Sequence, residues 1–254
     1  MLTKSFLKGR LRQDLSEAER NRIESAVAET VAVPPRTVLI QSGDWLDDSY
    51  YLVEGTMLRT IDGTKGKRQI VGINVVGDFI DLHGYAMKRL DHSLSTLDSV
   101  TLARVPHRAI SGMVADMPHL ARVLWFSTLL DAAMHREWIF RLGRLNAEGR
   151  IAHLISELCE RLSMVGRFDG RRLNVPLLQS DYAEACGISV VHANRSFRQL
   201  KERGVIATLG EGQVEILDLP TLNVLGEFDP DYLYGDGRLQ LGALPDERLT
   251  TPKP

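Results

Sequence analysis

LLQSDYAEACGISVVHANRSFRQLKERGVI, residues 177–206, decides the fold of the C-terminal part of the chain. Two short helical patterns, Ser180 to Cys186 and Val190 to Arg203, are separated only by Gly187-Ile188-Ser189. Gly187 permits the positive φ that ends the first helix, Ile188 plugs the corner, and Ser189 caps the second. Ala183 stands where the two helices must approach closely. This pattern is a helix-turn-helix, whose second helix presents Val191, His192, Asn194 and Arg195 near its N-terminus, where such a helix meets base edges. Arg195 is the strongest candidate for reading sequence. Its guanidinium can donate two hydrogen bonds to guanine O6 and N7, worth ~1–3 kcal/mol of discrimination. Asn194 suits an adenine or a phosphate. Ser189, Arg198 and Lys201 suit phosphates, which orient the helix without reading sequence, and Gln179 and Ser180 are further candidate DNA contacts. Phe197 and Leu200 fall on the opposite, apolar side.

Working outward, a hairpin follows: Val205 to Leu209, the turn Gly210-Glu211-Gly212, then Val214 to Leu217. It stands where the wing of a winged helix-turn-helix belongs. Arg150 to Leu162 before the motif reads as an amphipathic helix, and Asn146-Ala147-Glu148-Gly149 marks a domain boundary. Between Arg141 and Arg203 eleven Lys/Arg face seven Asp/Glu, a net of +4, although the whole chain carries −2. From Glu211 to Pro254 nine acids face three bases, a net of −6. The basic segment a DNA binder needs is thus masked by acidic surroundings. From Gly226 onward, prolines, glycines and acids read as a loosely ordered acidic tail, residues 226–254.

About Pro118 to Leu145 reads as one long helix, with proline in its first turn. Leu120, Leu124, Ser127, Asp131, Met134, Trp138, Arg141 and Leu145 follow a 3.5-residue spacing, the expected dimer seam. Phe126, Leu129, Leu130, Ala133 and Phe140 make a second apolar face for the other packing partner. Upstream, residues 14 to 32 read as an amphipathic helix opened by Ser16 and Glu19 as a capping box. Pro34-Pro35 ends it. Thr37 to Ile40, Tyr50 to Val53, Met57 to Ile61, Gln69 to Val75 and Leu97 to Val105 are short apolar runs punctuated by glycine, hence strands of a barrel or roll. Asp62-Gly63 and Lys65-Gly66 supply a hairpin turn.

The 254 residues allow two compact units. No run of about 18 apolar residues and no secretory signal are present, so a cytoplasmic protein without membrane contact is expected. Cys159 and Cys186 lack CxxC partners and read as packed thiols. No P-loop, GxSxG, HExxH or Cys-His arrangement supports an enzyme, so no catalytic residue, metal or cofactor is assigned.

The run 177–206, preceded by Gly43-Asp44, Tyr51-Leu52-Val53-Glu54-Gly55, Gly63 and Gly77-Asp78-Phe79, resembles the Crp/Fnr superfamily of the cyclic-AMP receptor protein and the fumarate–nitrate reduction regulator. The resemblance covers about residues 10 to 220. It implies an α+β architecture: an N-terminal β-roll of cyclic-nucleotide-binding-like (jelly-roll) type over 10–116, a long dimerisation helix over 117–145, and a C-terminal winged helix-turn-helix over 146–219. It also implies a homodimer on a near-palindromic double-stranded DNA operator, RNA polymerase as partner, and a roll that takes up a small-molecule effector of unidentified kind.

Departures from the family pattern bear on the signal. The cyclic-AMP branch follows its Gly-Asp-Phe turn with Gly-Glu for the ribose and later Arg-Ser for the phosphate. Here Asp81-Leu82-His83 and Asp91-His92-Ser93 stand instead, so cyclic-AMP sensing is not expected. The iron–sulfur branch uses N-terminal cysteines, and none precedes Cys159. Asp81, Leu82, His83, His92, Ser93 and His135 are the candidate effector-pocket residues. His83 stands six residues after Gly77, as the haem ligand of the carbon-monoxide branch does, so haem or metal sensing, with His92, His107 and His135 as further ligands, is the alternative; histidines hydrogen-bonded within the roll are the favoured reading. A further alternative is a nucleotide-binding module acting on protein partners. Leu178 replaces the usual hydroxyl cap of the first motif helix, leaving Gln179 or Ser180 to satisfy the free N–H groups. Val190 and Val191 replace the Arg and Glu of the cyclic-AMP branch, so the operator should differ.

Overall fold

The computed structural model describes residues 1–10, 14–210 and 212–235. Helix α1 (Glu17–Ser25) begins with the expected capping box, the Ser16 and Glu19 side chains serving each other's backbone N–H. It is shorter than the predicted span 14–32. Residues Glu29–Val33 instead form strand β1, because Thr30, Val31 and Val33 are β-branched and pair with a neighbouring strand.

The roll continues with β2 (Val38–Ile40), β3 (Asp48–Glu54), β4 (Met57–Asp62), β5 (Arg68–Asn74), a short helix α2 (Gly84–Met87), β6 (Ser93–Thr96) and β7 (Val100–Pro106). The strand expected over 97–105 begins only at Val100, as β7, and β6 (Ser93–Thr96) precedes the expected span; between them Asp98 accepts the Thr56 backbone N–H. Two antiparallel sheets result, ordered β1-β7-β3 and β2-β6-β4-β5. Ile40, Leu52, Met57, Ile80, Leu94 and Leu102 fill the space between them.

A bulge between Arg59 and Thr60 interrupts the β4–β5 hairpin opposite Gly72. Bulges re-aim a side chain, and here Arg59 turns inward until only 3% of its surface is exposed. Gly72 gives it room, since a Cβ there would lie 3.2 Å from the Arg59 Cδ.

Helix α3 (His107–Asp116) leads into α4 (Pro118–Arg144), the long helix. Its 27 residues make it roughly 40 Å long. Leu145 and Asn146 join it to α5 (Ala147–Met164), capped by the Asn146 side chain on the Gly149 N–H. Strand β8 (Arg172–Leu173) follows, then α6 (Gln179–Cys186), α7 (Val190–Glu202), β9 (Ile206–Gly210), β10 (Gln213–Ile216) and α8 (Leu219–Leu225). The wing is three-stranded, β8-β10-β9, rather than the two-stranded hairpin expected. The C-terminal unit also continues past 219, because Leu222 of α8 is wholly buried in the α5 core. Residues 226–235, expected to be loose, pack in order against α4 and α5. The rest of the predicted tail, 236–254, and Glu211 of the wing lie outside the described residues.

Charged side chains join the two domains. The Arg36 guanidinium grips both Asp181 oxygens at 2.8 Å, and Arg68 pairs with Glu184 at 2.8 Å. Arg161, only 2% exposed, donates to the Ile73 carbonyl, to Asp78 and to Glu157. Asp181→Ala removes both a helix cap and the acceptor of Arg36. It should lower the unfolding free energy by about 1–3 kcal/mol, read by urea denaturation, and an unchanged midpoint would contradict this account.

Candidate nucleic-acid interface

The corner between α6 and α7 forms as its residues demand. Gly187 holds φ +60°, and its N–H and that of Ile188 both reach the Ala183 carbonyl. Arg141 from α4 and Arg150 from α5 donate to the Ala185 and Cys186 carbonyls, satisfying the end of α6. Arg141 also lies 4.0 Å over the Trp138 ring, and this stacking and burial make it part of the core. Ala183 and Ala193 are buried at the helix crossing, and Ile188 packs on the same core.

The start of α6 corrects one expectation. Neither Gln179 nor Ser180 supplies the cap. Asp181 reaches back to the Leu178 N–H at 2.8 Å while its carboxylate also holds Arg36. A carboxylate in the first turn is favoured by the helix dipole, and it stands at the reciprocal position of a capping box. The spacing Leu178-x-x-Asp181 carried that signal.

Helix α7 separates its faces sharply. Ala193, Ser196, Phe197 and Leu200 are buried, with the Phe197 ring edge-on to Tyr182 at 4.9 Å. Val190, Val191, His192, Asn194, Arg195, Arg198 and Lys201 are all exposed, Val191 at 75%. Ser189 accepts the His192 backbone N–H at 3.2 Å and lies 3.1 Å from the His192 Nδ1. That contact folds the imidazole back over the helix start. Arg198 lies 3.8 Å from Glu202, a loose pair between two exposed side chains that leaves the guanidinium accessible. Ser180 is exposed and Gln179 half-buried at the start of α6.

With this geometry established, residues 149–225 match the family model described as a Crp-like helix-turn-helix domain. The chain is thereby similar to transcription regulators of Crp/Fnr type, with a Crp-like helix-turn-helix domain in residues 149–225. The transcriptional activator protein FnrL of Cereibacter sphaeroides is 29% identical over 189 residues, covering 72% of this chain and 75% of that protein. An anaerobic regulatory protein of Haemophilus influenzae is 22% identical over 197 residues, covering 78% and 76%. The fold is that of FixK2 from Bradyrhizobium japonicum, with TM-score 0.72 and 19% identity over 78% of this chain and 97% of that one. No helix among the described residues is long and apolar enough to cross a membrane.

The residues expected to form an effector pocket divide into separate environments. The His83 and His92 rings lie 5.4 Å apart, where burial and the nearby Arg59 cation push His83 down to about 4 and hold His92 low. His92 also bonds Asp91 at 2.8 Å. Asp81 is fully buried, accepts the Tyr50 N–H at 2.7 Å, and is pushed up to about 7 by desolvation. Leu82 packs into the other apolar cluster, with Phe79 and Leu120. Ser93 accepts the Ser42 N–H. His135 donates to the Asp131 carbonyl on its own helix, and His107 is held by Ser49 and Lys88. The group sequence reasoning missed is Arg59, whose Nη1 binds both Asp131 oxygens at 2.6–2.7 Å and whose Nη2 binds the Ile80 carbonyl.

Asp81 supplies a pH test. Its folded value lies above its unfolded one, so between about 4 and 7 the native state holds the extra proton and stability falls as pH rises. Relative to Asp81→Asn, the wild type should lose stability across that window, by up to about 1.4 kcal/mol for each pH unit crossed. Denaturation curves at several pH values read this directly; a constant difference would contradict it.

Proposed function

We propose that this chain is a Crp/Fnr-type regulator that binds a near-palindromic operator as a homodimer, with Arg195 and Asn194 reading bases and Ser189, Arg198 and Lys201 holding phosphates. The exposed N-terminal face of α7 carries this reading: its polar side chains are free while the opposite face is locked into the domain. Val190 and Val191 offer methyl groups to thymine.

The seam we propose lies on another face than the one the spacing predicts. Leu120, Leu124 and Trp138 are buried against their own chain, Asp131 binds Arg59, and Ser127 and Met134 face the roll with Arg161 and Asn74. A second 3.5-residue register, Trp125, Leu129, Ala132, Arg136 and Ile139 with Phe140 beside it, stays outside. Trp125 is 65% and Ile139 71% exposed. A contiguous apolar stripe of this kind along a helix is matched by its own copy across a two-fold axis.

The signal we propose is not a cyclic phosphate. Arg59, the guanidinium turned into the roll, is already neutralised by Asp131. Against a metal cation at His83 stands the nearby Arg59 guanidinium, whose charge such an ion would face. Cys159 and Cys186 lie buried in the core of the DNA-reading domain, where burial pushes the Cys159 thiol up to about 12, consistent with packed thiols rather than cluster ligands.

Arg195→Ala should weaken operator binding by roughly 10- to 100-fold and relax preference at one position of each half-site, with binding to unrelated DNA nearly unchanged. Retained affinity and preference would exclude Arg195 as a base reader. Ile139→Glu should yield monomers in sedimentation and lose operator affinity; a dimer that persists would place the seam elsewhere.

A further inference from the structure

The Crp-like domain match ends at residue 225, yet the next ten residues are held by hydrogen bonds and ring contacts to α4, α5 and the N-terminal segment. Gly226 opens the segment with its backbone pressed on α5, where a Cβ would fall 2.6 Å from the His153 nitrogen. Its carbonyl accepts the Nδ1–H of the fully buried His153 at 2.9 Å. Asp229 then caps a single turn, Pro230–Leu233, by accepting the Asp231 N–H. That turn buries Leu233 completely and lays the Tyr232 ring nearly parallel to His153, with Phe228 edge-on to both. Tyr234 meets Phe126 of α4 edge-on at 5.7 Å. The Arg10 guanidinium donates to the Leu233 carbonyl, and Arg10 and Gly235 form an isolated antiparallel bridge.

The three bodies thus held are α4, α5 and the N-terminal segment, and their charges converge on Glu157. This carboxylate is fully buried. It accepts from Trp138 Nε1 of α4 at 3.0 Å, Arg161 Nη1 of α5 at 3.2 Å and the Tyr232 hydroxyl at 2.8 Å. Arg161 in turn grips Asp78 and the Ile73 carbonyl of the roll. A buried carboxylate that loses a donor must seek another, so removing Tyr232 frees the joint between α4 and α5 to shift.

We infer that Gly226–Gly235 is a strap that sets the angle between the long helix and the DNA-reading domain, and through it the separation of the two α7 helices in a dimer. Tyr232 is its positioning residue. The inference rests on the dimeric operator-binding reading above. With α7 exposed while the strap is docked, the strapped arrangement is the DNA-competent one: the strap pre-organises spacing rather than hiding the reading face.

The test compares four proteins: the full chain, a chain ending at Gly235, a chain ending at Glu227, and Tyr232→Phe in the full chain. Each is titrated by fluorescence anisotropy against the selected operator, the same operator with one base pair inserted between half-sites, and a single half-site. The full chain and the chain ending at Gly235 should prefer the native spacing at least about 10-fold. The chain ending at Glu227 should lose that preference, and Tyr232→Phe most of it, with half-site binding held within about twofold. Half-site binding reports a folded reading domain; if the shortened chain loses it, Tyr232→Phe decides. Undiminished spacing preference without the strap, or in Tyr232→Phe when that variant decides, would overturn the proposal. A full chain that shows no spacing preference would instead overturn the dimeric reading beneath it.

Discussion

The guanidinium of Arg161, sunk where the roll meets the DNA-reading domain, is the contact on which the rest of the architecture depends. A charge in that position is tolerated only when paired and hydrogen-bonded, and stripping one partner from a buried pair typically costs about 3–5 kcal/mol. Asp78 and Glu157 supply the pairing, and the Ile73 carbonyl takes a further hydrogen bond. Ile73 and Asp78 belong to the roll, whereas Glu157 lies one turn earlier on α5 itself. Asp78 also shapes its own turn by accepting the Val75 N–H, so the Gly77-Asp78-Phe79 corner serves both the roll and the domain joint. The two domains are therefore coupled through charges that cannot be separated cheaply, and any signal entering the roll has a direct mechanical route to α5.

Arg36 and Asp181 add a second tie at the surface, where the same carboxylate starts α6. The reading motif is consequently held at both ends of its first helix. Asp181 and Arg36 fix the start, and Arg141 and Arg150 cap the finish. Helix α7 inherits its direction from this frame, because Gly187 allows only a tight corner between the two.

The helix-turn-helix was legible because every constraint in it is local. Gly187 must take positive φ, Ser189 must cap, and the apolar positions of α7 repeat at helical spacing within a few residues. The roll was legible as a class for the same reason, although β1 was hidden inside a run that also suits a helix and only its pairing with β7 decides the matter. What the sequence did not reveal depends on distance along the chain. Arg36 and Asp181 are 145 residues apart, and no spacing rule joins them. The long helix carries two overlapping 3.5-residue registers, both apolar enough for a seam. Arg59, by binding Asp131, turns one of them toward the roll. Phe228, Tyr232, Leu233 and Tyr234 were lost among prolines and acids that read as a tail, because their partners, His153, Glu157 and Phe126, lie far upstream.

The same Arg59 separates this roll from a pocket built for an anionic nucleotide. Its bulge and Gly72 aim a cation inward as such a pocket would require, but the long helix answers it with a carboxylate. The inward cation is therefore paired within the chain itself. Selection of bound sequences from random double-stranded DNA by the full chain tests this account most directly. It predicts one enriched inverted repeat, its half-sites about 10 base pairs apart centre to centre. Enrichment of a lone half-site, or of no motif at all, would contradict it.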